Sequence, residues 1–327
     1  MLKGGKTRIE ITKNFNVKIY VIGYKNQGES IVILFLDNTT NKNTVKYSIV
    51  IDCFEYKKKN LTDEILREYS VETLSMLCWT HPDIDHSRGI DHLIKKYCKT
   101  STKILMPEHF YGINNDIVIF KDKKEREAIN RIFELDRLKN NSVTSISVAA
   151  NGYNEIDSLT FSTFVKDFDV SINAVTPVSS ILSKYIRENN HNINKNELSI
   201  SLIINIDDYN FFFGGDTLNN HICAIKQPFI KDCRFIKIPH HSSDSSDFLI
   251  QSIDDSIDIA CTTIFSPKKL PLDHILKGYH EKGDVFSTGH KSKKKYDYGV
   301  IEYSYHFLPN DMNIEIKLHG NACKIEI

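Results

Sequence analysis

Metal-binding side chains are concentrated in one short stretch of the sequence. His81, Asp83, Asp85 and His86 form an H-x-D-x-D-H pattern directly after the apolar stretch 74–79. Imidazoles and carboxylates together suit Zn²⁺, Mn²⁺ or iron, and two ions that share a carboxylate can activate water for hydrolysis. The alternative is a solvated turn that happens to be rich in Asp and His. Further His and Asp residues at the ends of later apolar runs favour the metal site.

Two later apolar runs end in the same residue types. Asp216 follows three phenylalanines and two glycines, and glycines allow the backbone to turn sharply. On its own, Asp216 could equally be part of an ordinary strand-end turn. His240 and His241 follow Pro239 at the end of another run. Because neighbouring side chains diverge there, we expect one histidine to bind metal and the other to contact either the substrate or a metal ligand. We prefer His240 as the ligand because it comes first after the strand; two buried structural histidines are the alternative.

The order of these motifs resembles the metallo-β-lactamase superfamily. The stretch 81–86 resembles its H-x-[HD]-x-D-H signature, with Asp at the third position. Residues 27–30, 51–52, 211–216 and 236–243 resemble, in turn, the motifs G-x-G-D/E-[SA], L-I-D, L-L-x-G-D and L-K-V-P-H-H-G-S. The first of these motifs is typical of the competence-protein branch, which acts in DNA uptake. The resemblance extends over most of residues 15–300.

The residue pattern alone favours a mixed α/β fold with a metal site at strand ends. Alternating apolar residues predict strands in 7–24, 30–37 and 198–206, and helical spacing predicts helices at 61–69 and 90–97. The resemblance implies a four-layer αββα metallo-β-lactamase sandwich, formed as a single hydrolase domain over residues 1–327. It also implies a helical insertion around residues 108–150, where apolar residues in 121–139 recur at helical spacing.

The resemblance also implies a ligand set for two divalent ions, with zinc expected and manganese as an alternative. His81 and Asp83 would hold the first ion, Asp85 and His86 the second, and Asp216 would bridge them. Asp52 would hydrogen-bond a ligand histidine and fix its tautomer. The predicted metal ligands are His81, Asp83, Asp85, His86, Asp216, His240 and His241. The candidate catalytic residues are Asp83, His241 and His290.

One segment departs from the superfamily pattern. Many of these hydrolases have a further histidine ligand before the bridging aspartate. Here residues 195–199 occupy that place and resemble the N-x-x-S of the competence branch. His191 is close in sequence but lies in an Asn-rich segment that predicts a loop. We therefore expect fewer protein ligands at the first ion.

The composition limits the kinds of partner. The chain of 327 residues has 42 Lys and Arg against 42 Asp and Glu, so binding of a polyanion must depend on local patches. The longest apolar run, 31–36, is far shorter than the ~20 residues of a membrane-spanning helix. Seven cysteines without paired spacing are typical of a reducing cytoplasm.

Together these features predict a dinuclear metal-dependent hydrolase that cleaves phosphodiester bonds with a metal-activated hydroxide, and DNA is the expected substrate. Lys291 and Lys293–Lys295 follow His290 and could attract a polyanion, although a solvated lysine loop is the alternative. Aromatic platforms for single-stranded bases could come from Phe286, Tyr296 and Tyr298. The alternative functions are hydrolysis of a small ester (a lactone, thioester or choline phosphoester) and a binding module without catalysis. Homo-oligomerisation is left open.

Overall fold

Two mixed β-sheets form the centre of the molecule. The computed structural model describes residues 6–24, 27–39, 42–108, 123, 126–130, 134, 143–188, 194–254, 257–265, 268–289, 296–309 and 311–326. In chain order, the strands of these residues are β1 (Thr7–Glu10), β2 (Asn14–Tyr24), β3 (Glu29–Thr39), β4 (Lys42–Ile51), β5 (Met76–Cys78), β6 (Lys103–Pro107), β7 (Val143–Ile146), β8 (Asn154–Ser162), β9 (Asp167–Ala174), β10 (Leu202–Ile206), β11 (Tyr209–Phe213), β12 (Cys233–Lys237), β13 (Ile259–Thr262), β14 (Asp284–Ser287), β15 (Tyr298–Phe307), β16 (Met312–Gly320) and β17 (Cys323–Lys324).

Short helices connect many of the strands. They are α1 (Leu61–Glu68), α2 (Ile84–Ser87), α3 (Ile90–Tyr97), α4 (Ser179–Glu188), α5 (Asn219–Ile222), α6 (Gln227–Lys231), α7 (Phe248–Ser252) and α8 (Asp273–His280). Three 3₁₀ turns cover Lys195–Leu198, Pro239–His241 and Asp244–Ser246.

Each sheet combines parallel and antiparallel pairs. One sheet has nine strands in the order β1-β8-β9-β10-β11-β12-β13-β14-β17. The other has eight strands in the order β16-β15-β2-β3-β4-β5-β6-β7. The pairs β4·β5 and β5·β6 are parallel in the eight-stranded sheet, as are β11·β12 and β12·β13 in the nine-stranded sheet.

Successive side chains of a strand pack into different clusters, which shows how the sheets are layered. In β2, Val17 and Ile19 belong to the core between the two sheets, whereas Tyr20 and Ile22 belong to a cluster shared with α1 and α3. This alternation reflects the two-residue period of a strand that is buried on both faces. A third cluster covers the outer face of the nine-stranded sheet with residues of α5 to α8. The molecule is therefore a sandwich of two sheets with helices on both outer sides, which confirms the predicted mixed α/β class.

One predicted boundary is wrong, and one predicted element lies mostly outside the described residues. The predicted strand 198–206 begins only at Leu202, because residues 195–198 form a 3₁₀ turn in which the Asn194 side chain accepts a hydrogen bond from Asn196 N. Most of the predicted insertion at 108–150 lies outside the described residues. Within it, residues 126–130 are helical, and Ala128 and Ile129 pack into the cluster shared with α1 and α3.

Two further expectations concern membranes and cysteines. Among the residues that the structure describes, no helix combines the length and the apolar character needed to cross a membrane. All seven cysteines are free thiols, and five of them are buried.

The hairpin of β8 and β9 allows a test of how much the core between the sheets stabilises the fold. Phe161 is fully buried, with its ring stacked on Phe15 and Phe35 at centroid distances of 4.7 and 5.3 Å, whereas Phe164 is 99% exposed. We predict that Phe161→Ala lowers the free energy of unfolding by about 3–5 kcal/mol, because it removes buried apolar area and leaves a cavity. The matched control Phe164→Ala should change it by less than about 0.5 kcal/mol. Denaturant unfolding of both variants measures this, and equal losses would contradict the proposed core.

Candidate metal centre

The ends of parallel strands from both sheets meet at one edge of the sandwich. Asp52 directly follows β4, and the segment 79–83 follows β5 in the eight-stranded sheet. In the nine-stranded sheet, Asp216 follows β11 and His240 follows β12. Parallel neighbours within each sheet end at the same edge, and the packing of the two sheets brings the two edges together, so these side chains converge although they are far apart in sequence.

The turn before Asp216 depends on glycine. Gly215 has a φ of +52°, and a Cβ atom there would lie only 2.6 Å from Ser199 Oγ. The close approach allows the backbone N–H of Asp216 to donate to Ser199 Oγ at 2.9 Å. The serine of the segment 195–199 thus fixes the position of the Asp216 carboxylate.

Four buried side chains form a group with metal-ligand spacing: Asp85, His86, Asp216 and His241. One ligand atom from each lies within 4.8 Å of all the others. His86 Nε2 is 3.4 Å from Asp216 Oδ1, and His241 Nε2 is 3.3 Å from Asp85 Oδ2. Ligands at about 2.0–2.2 Å from a tetrahedral ion are separated by distances of this size. The group is therefore large enough for one divalent cation.

The second oxygen of Asp216 faces another pair of ligands. Asp216 Oδ2 lies 3.8 Å from His81 Nε2, which in turn lies 3.7 Å from Asp83 Oδ2. The two oxygens of one carboxylate thus point toward different imidazoles, His86 and His81. This is the arrangement in which a carboxylate can be shared between two cations.

Unpaired polar atoms support the fit of a metal. His81 Nε2, His86 Nε2 and Asp216 Oδ1 are buried and have no hydrogen-bond partner among the described residues. Leaving such atoms buried without partners is costly, and metal coordination would satisfy all three. The donor set of imidazoles and carboxylates fits zinc or manganese.

The charges of the group are strongly coupled. Burial alone would lower the pKa of His86, but the carboxylates of Asp216, Asp52 and Asp85 raise it well above its usual value. Burial would raise the pKa of Asp216, yet His86 and His241 lower it well below its usual value. Burial lowers the pKa of His81 and keeps it neutral, as a metal ligand must be. A cation that binds here would replace the proton of His86.

Asp52 orients the ring of His86. Its Oδ2 accepts the His86 Nδ1 hydrogen at 2.7 Å, which leaves Nε2 directed at Asp216. Asp52 also accepts hydrogen bonds from the backbone N–H and the hydroxyl of Thr80, at 2.7 and 2.6 Å. The expected role of Asp52 in fixing a histidine tautomer agrees with this geometry.

Sequence reasoning assigned no role to a buried ion pair beside His241. Lys237 Nζ donates to Glu29 Oε1 at 3.0 Å, and both side chains are almost completely buried. Thr263 donates its hydroxyl hydrogen to Glu29 and lies 2.9 Å from His241 Nδ1. Glu29, Asp52 and His86 also place ligand atoms within 4.8 Å of one another. The Lys237 ammonium already supplies a cation to that acidic group.

The Glu29–Lys237 pair holds the two sheets together at the metal centre. Glu29 begins β3 in one sheet, and Lys237 ends β12 in the other. Burial would raise the pKa of Glu29 and lower that of Lys237, but their mutual attraction reverses both shifts, so the pair is ionised. Two features of the sequence could have indicated this pair: an acid at the start of an apolar strand, and a single lysine within the apolar run 235–238.

A left-handed turn separates the two adjacent histidines. His240, His241 and Ser242 have φ values of 47°, 51° and 63°. His241 therefore joins the four-residue group, whereas His240 Nδ1 lies 2.6 Å from Ser245 Oγ and His240 Nε2 lies 3.0 Å from Asn196 Nδ2. The geometry does not support the preference for His240 as the ligand of this group; His240 Nε2 still lies 3.9 Å from Asp216 Oδ2.

The remaining residues singled out in the sequence are His290, His191, the lysines 291 and 293–295, and three aromatic residues. His290, His191 and these lysines lie outside the described residues. Phe286 is buried in the core between the sheets, so its proposed role as an exposed base platform is wrong. Tyr296 is 50% exposed, and its ring centroid lies 5.7 Å from that of Tyr298.

No protein-family model matches the chain, and the comparison with curated proteins gave no significant match. The interpretation of the centre therefore depends on the geometry described above.

We predict that Asp216→Asn removes more bound metal than either His81→Ala or His241→Ala. The reason is that Asp216 contributes an oxygen to each group of ligands, whereas each histidine contributes to one. Elemental analysis after loading with Zn²⁺ and desalting measures the ratio of metal to protein. His274→Ala is the control, since His274 is exposed and pairs with Asp244. A metal content in Asp216→Asn equal to that of the control would contradict the shared carboxylate.

The buried ion pair gives a second prediction. We expect Lys237→Met to lower the free energy of unfolding by about 3–5 kcal/mol, because it leaves the Glu29 carboxylate buried without its counter-ion. The double variant Glu29→Gln and Lys237→Met should lose less than the sum of the two single variants. A double-mutant cycle by denaturant unfolding measures this coupling. Strictly additive losses would show that the two groups do not stabilise each other.

Proposed function

We propose that this chain is a metal-dependent hydrolase of the metallo-β-lactamase superfamily that cleaves phosphodiester bonds, with DNA as the expected substrate. The observation that carries the proposal is the two-sided Asp216 carboxylate, with Oδ1 3.4 Å from His86 Nε2 and Oδ2 3.8 Å from His81 Nε2. The sandwich of two sheets with outer helices and the position of the centre at strand ends agree with the αββα architecture of that superfamily.

The residues divide into two sets. His81, Asp83 and Asp216 Oδ2 would hold one cation, while Asp85, His86, Asp216 Oδ1 and His241 would hold the other. When bound, divalent ions act as Lewis acids and lower the pKa of a coordinated water toward neutrality.

The protein itself contributes order and an apolar environment. Asp52 fixes the ring of His86, and Thr263 together with Glu29 fixes the ring of His241. His81 and His86 have fully buried side chains, which excludes bulk water and strengthens the electrostatic interactions at the centre. The Asp83 side chain is 37% exposed, so one side of the centre faces solvent as a hydrolytic site requires, whereas a purely structural metal site is closed.

We predict that the protein loaded with Zn²⁺ or Mn²⁺ cleaves single- or double-stranded DNA or bis(p-nitrophenyl) phosphate. Asp216→Asn should lower the rate at least about 100-fold, because the amide offers one neutral oxygen in place of the two carboxylate oxygens that face the two groups of ligands. The His274→Ala protein should retain the wild-type rate. Release of nitrophenol and gel analysis of labelled DNA measure the activity, with EDTA-treated protein as the blank.

The same protein should also be assayed for hydrolysis of a lactone, a thioester and a choline phosphoester. This second panel distinguishes a hydrolase of small esters from the proposed phosphodiesterase. Cleavage of one of these without cleavage of any nucleic acid or generic phosphodiester would replace the proposed substrate class. Metal-loaded protein that hydrolyses no member of either panel would contradict the hydrolase assignment itself.

A further inference from the structure

The candidate metal centre opens to solvent on one side. The side chain of Asp83 is 37% exposed, whereas those of Asp216 and His81 are 5% and 0% exposed. Lys268, which contacts His240, lies on the surface. A substrate must therefore approach past Asp83, His240 and Lys268.

Two lysines border this opening. Lys195 Nζ donates to the carbonyl oxygen of Pro82 at 2.8 Å and lies 3.4 Å from Asp83 Oδ1. Lys268 Nζ lies 3.5 Å from His240 Nε2. Asp83 already pairs with Lys195, whereas Lys268 faces the imidazole of His240, and a lysine beside a centre that would itself hold cations favours binding of an anion next to it.

Asn196 lies between the two lysines. Lys195, Asn196, His240 and Lys268 together form the rim of this opening. It follows Lys195 in sequence, and its Nδ2 donates to His240 Nε2 at 3.0 Å. Asn196 is only 4% exposed, and its Oδ1 has no hydrogen-bond partner among the described residues. The rim thus contains a buried amide oxygen that a hydroxyl or amino group of a ligand could satisfy.

The turn that carries Lys195 and Asn196 is held in place by hydrogen bonds of the next residue, Glu197. The neighbouring Glu197 accepts a hydrogen bond from Asn220 Nδ2 at 2.8 Å and lies 3.1 Å from His221 Nε2. His221 Nδ1 in turn accepts the backbone N–H of Val178 at 3.0 Å, so its Nε2 carries the hydrogen that it donates to Glu197. A rim fixed in this way loses little entropy when a ligand binds.

The charge of the rim favours phosphate over an uncharged ester. The carboxylates of Asp83, Asp85 and Asp216 would offset most of the charge of two divalent ions. Lys195 shares the Asp83 carboxylate with the centre, so Lys268 adds most of the positive charge that a neutral lactone or thioester leaves uncompensated. A phosphodiester is an anion throughout and gains negative charge as the nucleophile attacks.

We propose that Lys268 and Lys195 bind the substrate phosphate at the open side of the metal centre, with His240 and Asn196 between them. This rests on the proposed phosphodiesterase function. It assigns substrate neutralisation to described residues of the rim, whereas the sequence analysis had considered only the lysines 291 and 293–295.

The test is equilibrium binding of thymidine 5′-monophosphate, which has no diester bond to cleave, to Zn²⁺-loaded protein by calorimetry. Lys268→Met should bind the nucleotide about tenfold more weakly, because it loses a charge-assisted contact. Lys268→Arg should retain most of the affinity. Lys269→Met is the matched control, because Lys269 is the adjacent exposed lysine of the same loop. Uncharged thymidine should bind all variants equally weakly.

Lys195→Met provides a second, independent variant, and elemental analysis shows whether it retains its metal. We expect an unchanged metal content and a similar loss of nucleotide affinity. If the wild type cleaves phosphodiesters but both methionine variants bind the nucleotide as tightly as the wild type, this inference is wrong and the proposed function stands. If metal-loaded wild type neither cleaves phosphodiesters nor binds the nucleotide, the proposed function fails, and this inference fails with it.

Discussion

The carboxylate of Asp216 is the point on which the centre depends. It is buried, and its two oxygens face imidazoles from opposite ends of the segment 81–86. A buried carboxylate without partners would be strongly unfavourable, so the surrounding histidines must compensate it. The carboxylates of Asp216, Asp52 and Asp85 raise the pKa of His86 well above its usual value, and Asp52 accepts a hydrogen bond from the other ring nitrogen of His86. The same geometry suits coordination, because a cation between these side chains would also compensate the Asp216 carboxylate.

Bringing Asp216 to His86 requires the two sheets to be held in a fixed relation. Asp216 belongs to the nine-stranded sheet, whereas His86 follows a strand of the eight-stranded sheet. Aromatic rings such as Phe35 and Phe161 pack between the sheets. At the edge where the centre lies, the ion pair of Glu29 and Lys237 connects them directly. An apolar core sets the distance between the sheets, and the ion pair adds a directional contact beside His241.

Much of this arrangement could be predicted from sequence because its signals are local or periodic. The pattern at 81–86 places four donors on one short segment. In β2 and β11, successive side chains pack on opposite faces of the sheet, as the two-residue period of a strand predicts. The rule that parallel strands end at one edge places Asp216 beside His240 in the nine-stranded sheet, whereas the approach of that edge to the segment 81–86 depends on how the two sheets pack. Asp52 could be predicted for the same reason, as it ends the neighbouring parallel strand.

The remaining features depend on contacts and backbone conformations that a sequence pattern does not specify. Glu29 and Lys237 are 208 positions apart, so neither residue indicates the other. His241 rather than His240 joins the four-residue group because three successive residues adopt left-handed conformations. Phe286 looked suitable as a surface platform, but β14 directs it into the core between the sheets. In each case the tertiary structure decides between alternatives that are equivalent in sequence.

The left-handed turn at His240–Ser242 positions both histidines but requires strained backbone conformations. Non-glycine residues in this conformation are unfavourable by about 1–3 kcal/mol each, and such strain persists only where the surroundings determine it. Here the His240 backbone N–H donates to the carbonyl of Gly215, and the Ser242 hydroxyl donates to Thr262. The turn is thereby tied both to the segment before Asp216 and to the end of β13. Relaxing it would rotate both imidazoles together, removing His241 from Asp85 and His240 from Asn196. The strained backbone therefore connects the buried group that contains His241 with His240 and its contact to Asn196.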